Sequence, residues 1–178
     1  YIGADISMKS LQAAQKRSLP ANWDRQLVRT SANIPLIKEG SLDLVFSAAA
    51  LHHLQIDSVI GWISKALKPE GLFILTEPGN KNPFAQIGRR MVHGFHTEGE
   101  KPLDPVTTKR IAEKNDLVLM YERGLDCVNG PLSFFAGITK MPRPIVAVLY
   151  YFAHLVDRSI KSSKWSYRFV QIYKRKAS

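Results

Sequence analysis

Cysteine is almost missing from this chain. Among 178 residues only Cys127 carries a thiol, so no internal disulfide can form and no Cys-x-x-Cys metal knuckle exists. That usage fits a reducing compartment, and the expected location is cytoplasmic. No secretory signal is visible at the first residues, and no initiating Met stands there. Long uninterrupted apolar runs are absent as well. The most apolar stretch, Met141 to Ile160, contains Pro142, Arg143, Pro144, His154 and Asp157, which makes it a poor membrane span, since crossing needs roughly 20 mostly apolar residues. There is no internal repeat and no low-complexity tract, which excludes solenoids and linker-like segments. Acid disappears towards the end: no Asp or Glu follows Asp157.

What is present reads as one globular domain. Hydrophobic residues make up 45% and charged residues 22%, enough apolar material for a sizeable core at this length. The net charge of +10 is concentrated late in the chain. Arg158, Lys161, Lys164, Arg168, Lys174, Arg175 and Lys176 all follow the last acid. Such a run either forms a solvated basic end or attracts the phosphates of a membrane surface or a nucleic acid.

Hydrophobic patterning predicts alternating strands and helices. Gly3 to Ile6 reads as the end of a strand. Ser7 is an N-cap for a helix carrying Met8, Leu11, Ala14 and Gln15, which Ser18-Leu19-Pro20 ends. Gln26 to Arg29 is a short strand. Leu42 to Ser47 is nearly continuous in apolar residues, as a strand buried on both faces should be. Asp57 or Ser58 is expected to cap a helix with Val59, Ile60, Ile63, Ala66 and Leu67 inward, stopped by Lys68-Pro69-Glu70-Gly71. Leu72 to Thr76 is the next buried strand. Asp104-Pro105 starts a helix with Val106, Ile111 and Ala112 inward. Leu117 to Tyr121 and Ser166 to Tyr173 are the last strands. Helices between strands imply right-handed crossovers and a parallel sheet. Two stretches do not fit: 80–103, which could begin with a helix near Phe84–Met91, and 141–165. Both are read as insertions. The first would lie over a ligand crevice. The second would wall an apolar acceptor pocket, lie on a lipid surface, or pack in a core or dimer face.

In an open α/β sheet the strand ends face the ligand crevice, so the polar residues there are the candidates. Asp5 can accept hydrogen bonds from a ribose diol, or can sit at a helix start favoured by the macrodipole. Alone it does not decide, since nicotinamide-dependent Rossmann enzymes share it. His52 can line a pocket and remove a proton near neutral pH, or can pack at a helix start with His53 on the surface. Glu77 either faces the pocket or caps the backbone near Asn80. Arg89-Arg90 meets a phosphate or solvent. His93, His96, Glu98 and Glu100 lack a helical i, i+4 pair, and no metal is expected.

The segments Tyr1 to Met8 with Leu11 and Ala14, then Ser31 to Leu36, then Leu42 to Leu54, then Leu67 to Ile74 closely resemble class I S-adenosylmethionine-dependent methyltransferases in order and spacing. The resemblance covers about residues 1–125, and the final strand also fits. It implies an α/β fold, a Rossmann-like and mostly parallel sheet with an antiparallel last strand, in a single domain over 1–178. It implies that Asp5 holds the ribose hydroxyls of S-adenosyl-L-methionine, that Ile6 packs on the adenine, that Thr30, Ser31 and Ala32 line the adenine edge, and that Ser47 and Ala48 lie beside the methionine part. The chain departs from the family twice. Thr30 stands where Asp is common, so recognition of the adenine amino group is either weaker or left to backbone groups. The family's first strand and its Gly-rich loop precede the position where this chain begins, so an N-terminally truncated domain is expected, with little or no donor binding and no activity on its own.

The expected activity is methyl transfer from S-adenosyl-L-methionine to a small-molecule or lipid-like acceptor, with His52 as the candidate catalytic side chain and peripheral membrane contact through 141–178. An RNA methyltransferase is the alternative, but no Asn/Asp-Pro-Pro-aromatic signature follows the fourth family strand, and nucleic acid is not the expected partner. A binding domain of the same fold that has lost catalysis is a third reading. A nicotinamide dehydrogenase fits Ala48–Leu54 poorly. The oligomeric state is not legible.

Overall fold

The computed structural model describes residues 1–20, 22–31, 33, 37–83, 85–87 and 101–177. They form two compact units, Tyr1–Ile37 and Lys38–Ser178.

In the first unit, strand β1 (Ile2–Asp5), helix α1 (Met8–Gln15) and strand β2 (Gln26–Arg29) make a right-sized β-α-β element. β1 and β2 pair in parallel, with Asp5 opposite Arg29. Ser7 caps α1 as its sequence position predicts, its Oγ accepting from the Ser10 amide at 3.2 Å. The other end of α1 is held from a distance. The Arg25 guanidinium donates to the carbonyls of Ala14, Gln15 and Arg17 at 2.7, 2.8 and 2.6 Å. The Ala14 carbonyl also accepts from the Arg17 amide at 3.1 Å, and a cation at this end meets the negative end of the macrodipole.

The second unit contains β3 (Leu42–Ala48), α2 (Ile56–Ala66), β4 (Leu67–Pro78), α3 (Pro105–Lys114), β5 (Leu117–Leu125), α4 (Asn129–Thr139), α5 (Arg143–Ser159) and β6 (Arg168–Arg175). Its sheet has the order β3-β4-β6-β5. β3 and β4 are parallel, while β6 runs antiparallel to both β4 and β5. The expected mostly parallel sheet with an antiparallel last strand is therefore present. One face of this sheet is covered by α2 and α3, which bury Val59, Ile60, Ile63, Ile111 and Ala112 against Phe73, Leu75, Leu117, Phe169 and Tyr173. Each large side chain buried there stabilises by about 1.5–3 kcal/mol.

Several expectations fail locally. α2 starts one residue before Asp57, with Gln55 at the cap and no side-chain cap bond; Asp57 instead lies in the first turn, where its charge complements the dipole. Val106 points outward at 61% exposure, while Pro105 and Thr108 join Ile111 and Ala112 on the inner face. The helix does stop before Lys68 to Glu70, but Leu67, expected on its inner face, already begins β4. The chain is extended from Leu67 onward, with Glu70 at φ 66 and a register shift between Leu42 and Leu44 absorbing the irregularity. α4 has no counterpart in the sequence reading, because Gly130, Pro131 and Gly137 resemble loop residues. Pro131 falls in the first turn, where its missing amide costs nothing.

The basic end is not a loose tail. β6 begins at Arg168 and runs through Lys174 and Arg175 in the interior of the sheet order. Arg168 pairs with Asp126, Lys174 with Glu70 and Lys176 with Asp116, while Arg175 donates to the carbonyls of Lys65 and Leu67. The apolar stretch 141–160 becomes α5, of which only Ala153 is buried; among the described residues it is a surface helix and not a core one. Among the described residues no helix is long and apolar enough to cross a membrane.

Candidate functional site

The carboxyl ends of β1 and β2 carry the first group of candidates. Asp5 is the last residue of β1 and is half-buried. One carboxylate oxygen accepts from the Ser7 amide at 2.7 Å, so the side chain does support the start of α1. Its other oxygen has no bond to a described residue and stays open to an incoming hydroxyl. Thr30 follows β2, its amide donating to the Asp5 carbonyl at 3.2 Å. Ser31 accepts from the Asn33 amide at 3.3 Å. Ile6 is 69% exposed, an apolar side chain held in solvent beside the carboxylate. The residues of this edge could hold the ribose and adenine of S-adenosyl-L-methionine: an acceptor oxygen with no bond to a described residue, and an apolar surface next to it. Ala32 lies outside the described residues.

In the second unit, Ser47 and Ala48 end β3, and Ala48 pairs with Thr76 of β4. The chain then turns sharply. Ala49 takes a left-handed backbone at φ 48, which costs a non-glycine residue about 1–2 kcal/mol, and its amide donates to the Thr76 carbonyl at 2.9 Å. A short 3-10 turn, Leu51–His53, follows.

Glu77, near the end of β4, holds that turn in place. It is fully buried. Its Oε1 accepts from the amides of Ala50 and Leu51 at 3.0 and 2.9 Å, and its Oε2 lies 2.7 Å from His52 Nδ1. These are charge-assisted bonds in a dry place, the strong kind. They also correct the idea that Glu77 caps the Asn80 backbone. His52 is only 6% exposed, whereas His53 faces solvent. The His52 carbonyl accepts from the Lys101 amide at 3.0 Å.

That last bond belongs to a closure at the base of the 80–103 insertion. Leu103 donates to the Pro78 carbonyl at 3.1 Å and accepts from the Asn80 amide at 3.1 Å. Lys81 meets Asp104 at 3.0 Å. Burial pulls the Asp104 carboxyl up, but its bonds to Lys81 and Thr107 outweigh this and leave it below the ordinary range. Buried Asn82 ties the same base to two other loops, donating to the Trp165 and Cys127 carbonyls at 2.8 and 3.4 Å, and accepts from the Ala85 amide of its own segment at 2.9 Å. Pro83 and Ala85–Ile87 are helical. Phe84 and residues 88–100, with Arg89, Arg90, His93, His96, Glu98 and Glu100, lie outside the described residues. Among the described residues no group of three or more His, Cys, Asp or Glu could hold a metal.

Next to this turn, at the same end of the sheet, an open cavity of about 600 Å³ is lined by Asp126, Asn129, Gly130, Ser133, Tyr150, Tyr167 and Arg168. β6 register sets Arg168 opposite Pro78, one residue from Glu77. The Tyr150 hydroxyl donates to Ser133 Oγ across the α4–α5 pair. The Asn129 side-chain oxygen is buried with no partner. In the sequence Arg168 stands out only as part of the basic run and Tyr150 only as part of the stretch 141–165; Asp126, Asn129, Gly130 and Ser133 are not candidates. The separation of the lining residues along the chain is large, and only the pairing of β5 with β6 brings them together.

Residues 1–75 match the family model described as a methyltransferase domain. The fold of this chain is the one shared by S-adenosylmethionine-dependent methyltransferases. Solved structures share its fold at low identity. An S-adenosylmethionine-dependent methyltransferase from Mesorhizobium loti is 17% identical with a TM-score of 0.63, covering 98% of this chain and 79% of its own. One from Archaeoglobus fulgidus is 15% identical with a TM-score of 0.62, covering 98% and 75%. A cyclopropane synthase from Mycobacterium tuberculosis is 13% identical with a TM-score of 0.60, covering 97% and 68%. Against curated proteins the chain finds no sequence match. The methyltransferase family implies S-adenosyl-L-methionine as the methyl donor and a methyl acceptor as the second substrate.

Proposed function

We propose that this methyltransferase acts on a small, lipid-like acceptor whose polar part enters the cavity between β6 and the α4–α5 pair. The cavity is the observation that carries the reading. It opens at the carboxyl end of the strands, its Tyr150 and Tyr167 rings offer apolar walls, and Ser133, Asn129 and the Asp126–Arg168 pair offer a few polar contacts. That mixture suits an amphiphilic small molecule.

When bound, S-adenosyl-L-methionine supplies a methyl group already activated on a positively charged sulfur. The residues of this chain would hold and orient that donor and the acceptor against each other. Chemistry of this kind depends mainly on positioning and exclusion of solvent. In this reading the open oxygen of Asp5 takes the ribose hydroxyls, Ile6 packs on the adenine, Thr30 and Ser31 border its edge with Ala32, and Ser47 and Ala48 border the methionine part. His52 is a positioning residue: bound to buried Glu77, it keeps the turn after β3 in one shape, and its burial does not suit a base that must meet the acceptor.

The test is a kinetic separation in the full-length protein. Asp5→Ala is expected to weaken S-adenosylhomocysteine binding by about tenfold or more in isothermal titration, because a charge-assisted pair of hydrogen bonds is lost. Tyr150→Ala is expected to raise the acceptor KM by about tenfold with donor binding unchanged. If acceptor KM does not move, the cavity is not the acceptor site.

A further inference from the structure

We infer that the outer face of α5 docks this protein on an anionic lipid surface. The helix is inverted relative to an ordinary surface helix. Its inner side is made by Val146, Tyr150, Ala153 and Asp157, the positions that are buried or half-buried. Its outer side carries Ile145, Val148, Tyr151, Phe152 and Leu155, each between 43% and 63% exposed. These positions follow helical spacing, so they form one stripe along a helix about 25 Å long. Trp165, also exposed, lies just beyond the helix with the Lys164 ammonium 5.5 Å from its ring. Tyr and Trp at the margin of an apolar face are the side chains that favour a membrane–water boundary.

The charges select the partner. Lys140 and Arg143 precede the stripe, and Arg158, Lys161 and Lys164 follow it, all exposed and none in an ion pair with a described residue. The three acids of the last 58 residues are turned away. Asp157 accepts from the amides of Val128 and Asn129 at 2.8 and 3.0 Å at the start of α4. Asp126 holds Arg168, and Glu122 holds Ser163 and Gln171. The surface is therefore apolar at its centre and cationic at both ends. A second copy meeting this face across a two-fold axis would bring the same cations with no acid to neutralise them. A bilayer containing acidic lipid supplies both an apolar phase and the opposite charge. This inference stands apart from the choice of acceptor, since it concerns the outside of the hairpin.

Co-sedimentation of the full-length protein with phosphatidylcholine vesicles, with and without phosphatidylglycerol, tests it. Binding is expected only to the phosphatidylglycerol vesicles, and it should weaken by about tenfold or more when salt rises from dilute buffer to 0.5 M, about where the Debye length falls below 5 Å. Phe152→Glu should abolish binding, and the double variant Lys161→Glu, Lys164→Glu should weaken it about tenfold; both changes are at exposed positions, and circular dichroism checks that the fold persists. Methyl transfer to a water-soluble acceptor should be unchanged in both, which separates this failure from failure of the acceptor reading. No binding to acidic vesicles at low salt, binding unchanged by both variants, or a dimer in light scattering that Phe152→Glu splits would each overturn the proposal.

Discussion

Both oxygens of the Glu77 carboxylate are engaged inside the fold, by two amides and an imidazole. Removing them takes this partner from the buried Leu51 amide, the buried His52 ring and the part-buried Ala50 amide at once. Glu77→Ala is expected to cost about 3–5 kcal/mol, since each buried donor left unpaired costs about 1–3 kcal/mol. Glu77→Gln, which keeps an acceptor for the Ala50 and Leu51 amides, should cost roughly half as much. Urea unfolding of the two variants checks the difference; similar small losses would mean the carboxylate is not what holds the turn. The sequence marked Glu77 and His52 as candidates because both follow buried strands. It did not mark them as a pair, since 25 residues separate them and only the parallel register of β3 with β4 closes that distance. Asp5 is the opposite case. Its neighbour Ser7 is two residues away, and both the strand end and the helix start are visible in seven consecutive residues.

Elements were legible where their pattern was local. α1, β2 and β3 fall where periodicity and capping place them, and α3 starts at its Asp-Pro signal. α4 was not, because its two glycines and its proline argue against a helix in isolation, while Asp157 from α5 meets its first amides and offsets that preference. β5 runs four residues past the expected end at Tyr121, since β6 lies beside it and extends its ladder. Gly124 shows how close the packing is at that end. A Cβ there would meet the Ser162 carbonyl and the Ser166 side chain, backbone that cannot swing aside. Gly124→Ala is expected to destabilise by about 2–3 kcal/mol through overpacking, read as a lowered midpoint in thermal or urea melts. An unchanged midpoint would show that the 162–166 loop yields freely.

At the scale of the whole molecule, the last strand carries the core. Phe169, Gln171 and Tyr173 of β6 are fully buried, and the Tyr173 hydroxyl donates to the Gln171 side chain at 2.8 Å. Burial, with the Glu122 and Glu113 carboxylates nearby, holds the Tyr173 phenol protonated far above its ordinary range. The phenol ionises near pH 10 when unfolded, so its contribution is complete below that pH. Above it the unfolded chain releases a proton that the folded one keeps, and stability should fall by up to about 1.4 kcal/mol per pH unit. Urea midpoints measured between pH 9 and 11 should drop more steeply for the native protein than for Tyr173→Phe; parallel slopes would place the alkaline loss elsewhere.

Apolar periodicity, caps and strand-end polarity are properties of neighbouring residues, and neighbouring residues suffice to reveal alternating strands and helices, the acid at the end of β1 and the methyltransferase resemblance. Whether Lys174 is a tail or a strand residue, whether an apolar helix lies inside or outside, and which tyrosines share a cavity depend on contacts between segments tens of residues apart. Those contacts are set by how the sheet orders its strands, and β6 entering between β4 and β5 turned a basic terminus into core structure while leaving α5 with its apolar side in water.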